Sequence, residues 1–134
     1  MSGVDAMCPV GGRARAPLLV LLDTSALLLP FEQGLDLGGE VERALGACRV
    51  AVPEAALAEL RALARDSQDA KAALKLASRY EVVPTEGRGD DAILALAVRE
   101  RAVVVTADRA LMARLAEEGV RVLRPRERHR LELA

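Results

Sequence analysis

A chain of 134 residues is the size of one ordinary domain with one hydrophobic core. Half of it is apolar, but with one Phe, one Tyr and no Trp, so the core has to be built from Leu, Val, Ala and Ile, which speaks against modules that stack bases on aromatic rings. A formal net charge of -1 means that any polyanion would have to be met by a local basic patch.

Along the chain, residues 1–16 hold Gly, Pro and scattered charge without periodicity and are expected to form a loose N-terminal tail. Leu18 to Leu22 is a continuous apolar run ending at Asp23, the pattern of a central parallel strand covered on both faces. Ala26 to Leu29 predicts a short helix stopped by Pro30, with loop from Gly34 to Gly39 and a helix from Glu40 to Ala47. A brief strand over Arg49 to Val52 leads to Pro53, well placed to start a helix from Glu54 to about Arg65. Ser67 to Arg79 continues as a second helix, and Glu81 to Pro84 as a third strand. After Gly87-Arg88-Gly89, a helix runs from Asp90 to Arg101, followed by a second buried strand, Ala102 to Thr106. Asp108 opens a helix that Gly119 ends, Val120 to Leu123 makes a fifth strand, and residues 126–134 read as a basic C-terminal tail. Strands alternating with helices predict an α/β fold over residues 17–125: a three-layer α/β/α sandwich around a parallel sheet of about five strands.

Several function classes find no support. Cys8 and Cys48 lie far apart without CxxC spacing, and His129 is the single His, so neither zinc nor a disulfide framework is expected. No apolar run approaches the roughly 20 residues of a membrane helix, and Met1 to Pro17 lacks the apolar centre of a signal peptide; the expected location is the cytoplasm. There is no GxxxxGK[ST] or GxGxxG loop. A dehalogenase-type phosphatase would need Asp-x-Asp where Ser25 stands, and a receiver domain would need an acidic pair near the first strand.

The informative residues are acids. In open parallel sheets, functional groups collect at the carboxyl ends of the strands. Asp23 follows the first buried strand and Asp108 stands two residues after the other, while Asp90 and Asp91 open the intervening helix. Glu59 borders the apolar stripe of its own helix. Each also has an ordinary explanation: Asp23, Asp90 and Asp108 as helix caps, Asp91 as a helix-start charge, Glu59 as a solvated residue. Ser25 and Thr106 suit either the orientation of a bound water or the capping of adjoining turns.

Taken together these segments resemble the PIN domain family. Leu21-Leu22-Asp23-Thr24-Ser25 is similar to its first motif, and Val52-Pro53-Glu54 through Ala58-Glu59-Leu60 to its second. Gly89-Asp90-Asp91-Ala92-Ile93 is similar to the third, and Val103 through Asp108 with Gly119-Val120 to the fourth. The resemblance implies a Mg²⁺- or Mn²⁺-dependent ribonuclease. In it Asp23, Asp90 and Asp108 would hold metal, Glu59 would complete the catalytic set, and Asp91, Ser25 and Thr106 would be accessory; Asp90 is preferred over Asp91 because Ile93 falls three residues on. Hard ions of this kind favour carboxylate oxygens. The style is that of compact archaeal members similar to ribosomal-RNA processing nucleases and to VapC toxins. RNA is the implied substrate, with an antitoxin or a ribosome-assembly factor as partner and self-association frequent. A PIN-fold module that binds RNA or protein without cutting is the alternative. Arg124, Arg126 and Arg128, with Arg13 and Arg15 at the other end, are candidate RNA contacts or simply a solvated, mixed-charge tail.

Overall fold

A computed structural model describes residues 17–134; the expected N-terminal tail, with Arg13, Arg15 and Cys8, lies outside them. Six strands form one sheet: β1 (Leu19–Leu22), β2 (Arg49–Pro53), β3 (Glu81–Val83), β4 (Val103–Val105), β5 (Val122–Arg126) and β6 (Arg130–Leu133). The helices are α1 (Thr24–Gln33), α2 (Leu37–Leu45), α3 (Glu54–Leu63), α4 (Gln68–Ala77), α5 (Gly89–Glu100) and α6 (Arg109–Glu117). The spatial order of strands is β3-β2-β1-β4-β5-β6. The first five run parallel, and β6 returns antiparallel to β5.

This order positions the site. From β1 the chain moves outward through β2 to β3, then jumps back to place β4 on the other side of β1. The connections diverge between β1 and β4, which leaves a crevice beyond their carboxyl ends. Both strands are buried along their whole length, as their unalternated sequences, Leu-Val-Leu-Leu and Val-Val-Val, require. Helices cover the sheet as an α/β sandwich. Ala70, Ala73 and Ala77 of α4 are buried, so the apolar face of that helix belongs to the core.

Three sequence expectations change. Pro30 does not stop α1, which runs on to Gln33 and ends where Gly34 takes φ 70° and its N–H reaches the Pro30 carbonyl. The helix forgoes one backbone bond at Pro30, and burial of Leu27 and Leu29 keeps it in place. α2 begins at Leu37, before the expected Glu40, because Asp36 caps it and Leu37 and Val41 are buried; the two glycines between are carried along.

The third change is at the C-terminus: residues 126–134 are not a tail but the turn and last strand of a β-hairpin. Pro125, set within β5, faces the β4 side beyond the last residue of that strand, so its missing N–H breaks no ladder bond. Opposite it, the backbone of Leu131 points outward from the sheet. Its N–H donates to Glu40 Oε1 at 3.0 Å and its carbonyl accepts from Arg43 Nη2 at 2.7 Å. Glu40 and Arg43 are themselves paired at 3.0 Å, one turn apart on α2.

Candidate active site

β1 ends in Asp23, which caps α1 by accepting the Ala26 N–H on Oδ1 at 2.8 Å. Ser25 Oγ donates to the same oxygen at 2.8 Å, and Thr106 Oγ1, just past β4, donates to Oδ2. Both hydroxyls are also tied to the adjoining turn: Ser25 Oγ accepts from the Ala107 N–H and Thr106 Oγ1 from the Asp108 N–H. Ser25 and Thr106 thus brace Asp23 and the β4–α6 turn at once. A carboxylate accepts at about four positions, and three are used here, so Asp23 keeps a lone pair on Oδ2.

Asp23 is only 4% exposed. Burial pushes its carboxyl up to about 6, against the lowering effect of Thr106, Ala26 and Ser25; the charge of Asp108 adds to the rise. Asp108 caps α6 by accepting the Ala110 and Leu111 N–H groups on Oδ1. The ordinary capping explanation therefore holds for both Asp23 and Asp108, and it leaves Asp23 a lone pair on Oδ2 and Asp108 its Oδ2.

Asp90 is no cap. α5 is entered through Arg88, which makes no side-chain cap bond, and Asp90 lies inside the first turn. Its carboxyl is raised by burial, then by the charges of Asp108 and Glu59, with Arg114 pulling the other way. Asp91 points elsewhere: its carboxylate pairs with Arg114 of α6 on the surface. Glu59 reaches inward from α3, where its Oε1 accepts from Thr24 Oγ1 at 2.7 Å. Thr24 is buried and its hydroxyl also lies 3.3 Å from the Ala56 carbonyl. This positioning of Glu59 by Thr24 was not foreseen from the sequence, since the partners are 35 residues apart and nothing local signals the pairing.

Asp23, Glu59, Asp90 and Asp108 line one cleft of about 260 Å³, with Thr24 and Ser25 on its wall and Leu28, Leu63 and Ile93 completing the lining. Asp91, Thr106 and the three C-terminal arginines are not part of it, and no Lys or Arg among the described residues lines it. Mutual repulsion and burial raise carboxylates in such a place unless a cation compensates. The donor set of carboxylate oxygens suits a hard divalent ion. Among the described residues no three acidic, His or Cys side chains form a ready-made cage for an ion, so the acids stand around the cleft rather than closed on a point.

A sheet whose connections diverge over an acidic crevice, with acids from four separate segments, is the plan of a PIN domain, and the chain belongs to that family: the model of the PIN like domain matches residues 20–128. The ribonuclease VapC9 of Archaeoglobus fulgidus is 27% identical over 116 residues, covering 83% of this chain and 85% of the relative. Among solved structures, the PIN domain endonuclease Utp24 superposes with a TM-score of 0.76 at 25% identity, over 87% of this chain and 91% of that one. VapBC2 from Rickettsia felis, solved on a promoter DNA fragment, shares the fold with a TM-score of 0.64 at 17% identity, over 81% and 100% of the two chains. No helix among the described residues is long and apolar enough to cross a membrane.

Proposed function

We propose that this chain is a divalent-metal-dependent endoribonuclease, with Asp23, Asp90 and Asp108 as metal-holding residues and Glu59 as the fourth catalytic acid. One observation carries the reading: acids from four separate segments line a single cleft in whose lining no described residue is basic. Mg²⁺ or Mn²⁺ bound there would polarise the scissile phosphate and lower the pKa of an attacking water. The protein's own part is to keep the acids ready. Ser25, Thr106 and the Ala26 N–H fix the Asp23 carboxylate, and the first turn of α6 fixes that of Asp108. Thr24 aims Glu59 at the cleft, where its carboxylate would accept a proton from the attacking water. The A. fulgidus relative, named as a ribonuclease, supports RNA as the substrate, and Utp24, named as an endonuclease, supports internal cleavage.

Cleavage of a labelled single-stranded RNA with and without Mg²⁺ or Mn²⁺ tests the proposal. Asp23→Asn and Asp108→Asn should each lose at least about a hundredfold in rate, several kcal/mol of transition-state stabilisation. Metal-independent cleavage, or full activity in both variants, would sink it.

The family resemblance offers two biological settings for this chemistry, processing of ribosomal RNA and a toxin. Growth arrest on induction, relieved by a small co-encoded protein, favours the toxin. Accumulation of an uncut ribosomal precursor in a deletion strain favours processing.

A further inference from the structure

The arginines of the C-terminal stretch occupy every second position, Arg124, Arg126, Arg128 and Arg130. In a two-stranded ribbon that spacing puts Arg124, Arg126 and Arg130 on one face, while Leu131 on the other is fully buried. Arg126 and Arg130 are direct cross-strand partners. Like charges placed opposite each other destabilise a hairpin, and Glu132 pairs with Arg126 alone, at 2.7 Å. Arg128 and Arg130 form no ion pair among the described residues. Arg124 has a buried Nε without a hydrogen-bond partner. The hairpin therefore keeps positive charge that the described residues neutralise only in part, through Glu132 beside Arg126 and Glu40 near Arg130. Arg126, Arg128 and Arg130, joined by Arg43, line a concavity of about 670 Å³ beside α2, larger than the acid cleft.

The position of this face relative to the acids follows from strand register. Leu22, Val105 and Leu123 are aligned across β1, β4 and β5. The next rung outward is therefore Asp23, Thr106 and Arg124, with Glu132 alongside on β6. Asp23 and Arg124 stand two strand spacings apart, roughly 10 Å, at the same edge of the sheet. Arg126, two residues further along β5, and Arg130 beside it lie further out. A strand of RNA whose scissile phosphate sat in the cleft would meet the hairpin within a few nucleotides.

We propose that the β5–β6 hairpin is a phosphate-binding track for the RNA strand that flanks the scissile bond, with Arg126, Arg128 and Arg130 as its contacts. The proposal rests on the ribonuclease reading of the cleft and extends it to substrate binding. Guanidinium groups meet phosphate oxygens two at a time. The four arginines of the lining outnumber its acids, Glu127 and Glu132, and the hairpin shares its sheet edge with the acid cleft, so RNA is the better fit than an acidic protein.

The test is the affinity of the full chain for a fluorescent single-stranded oligoribonucleotide, measured by anisotropy in EDTA over a range of KCl concentrations. Arg126→Ala/Arg130→Ala should weaken binding about tenfold at low salt and flatten the log–log salt slope by roughly 1.4, about 0.7 for each phosphate no longer neutralised. Arg126→Lys/Arg130→Lys should keep most of the slope, because it keeps the charge. Arg79→Ala/Arg99→Ala removes the same charge at the opposite edge of the sheet, where α4 and α5 hand over to β3 and β4, and should change neither quantity. Both hairpin positions are exposed, and Arg128→Glu in the turn provides a second variant should the double substitution loosen the strand pair. An unchanged slope in the hairpin variants, or an equal fall in the control, overturns the track. Metal-dependent cleavage by the unmodified chain is scored separately. Its absence alongside a slope that depends on the hairpin would overturn the ribonuclease reading alone, and its presence with a slope that does not would overturn the track alone.

Discussion

The acid cleft takes its side chains from four segments between Asp23 and Asp108, whereas the hairpin takes almost all its charge from one continuous run, Arg124 to Glu132. The cleft charges are desolvated at its floor, where Asp23 is 4% exposed; the hairpin's are largely open to solvent. The two regions share an edge of the sheet, but the cleft, with its floor desolvated, holds its charge at the greater cost to the fold. That cost makes the cleft the place where single substitutions should have large and opposite effects on stability and on activity.

The largest such effect is expected at Asp23. Its carboxyl is raised from the usual 3.8 to about 6 by burial. Between those values the native state binds more protons than the unfolded one, so stability falls as pH rises through that window. A difference of this size corresponds to about 3 kcal/mol lost by neutral pH. Asp23→Asn, which removes the buried charge at the expense of the Thr106 hydrogen bond, should therefore melt higher than the unmodified chain at pH 8 in EDTA, by roughly 1–2 kcal/mol. Near pH 4 the order should reverse, because the native carboxyl is then neutral and only the lost Thr106 hydrogen bond separates the two proteins. Adding Mn²⁺ should raise the melting temperature of the unmodified chain and leave the variant's unmoved. Destabilisation by Asp23→Asn in EDTA at pH 8 would contradict the idea that the cleft stores electrostatic cost.

A smaller effect is expected at Thr24. Thr24→Val keeps the buried shape but frees Glu59, at about 1 kcal/mol of stability. If Glu59 acts on the attacking water, kcat should fall about tenfold with KM little changed; an unaltered kcat would place Glu59 outside the chemistry. The smallest effect is expected at Asp91, whose surface pair with Arg114 is open to solvent. Asp91→Asn should leave cleavage and melting temperature within error, and a loss comparable to that of Asp90→Asn would restore Asp91 to the site.

The difference between the two regions also explains what could be read from the sequence. The unalternated runs Leu18 to Leu22 and Ala102 to Thr106 announce central strands, because strands buried on both faces need no polar positions. From these the sheet and the edge bearing Asp23 and Asp108 follow. In the sequence Asp90 and Asp91 differ only in their spacing to Ile93; in the fold Asp90 lines the cleft while Asp91 pairs with Arg114 on the surface. Thr24 was invisible as a partner of Glu59 because side chains meet across α1 and α3 through tertiary packing. The hairpin was misread for a related reason. Its arginines mask the alternation of a strand whose apolar positions are Leu123, Pro125, Leu131 and Leu133, and a proline inside such a run ordinarily argues against a strand.

The clasp of Glu40 and Arg43 on the Leu131 backbone has one more consequence, for how copies of this molecule can meet. An exposed outer strand is a template on which another chain can lay itself down, the usual start of runaway sheet growth. Here two side chains of α2 occupy the outward N–H and carbonyl of Leu131, as a neighbouring strand would. A second copy cannot extend the sheet at that margin without first dislodging a bonded ion pair. The opposite margin, β3, offers only three residues, with Glu81 tied to Arg49. Among the described residues, neither margin of the six-stranded sheet offers a long free edge.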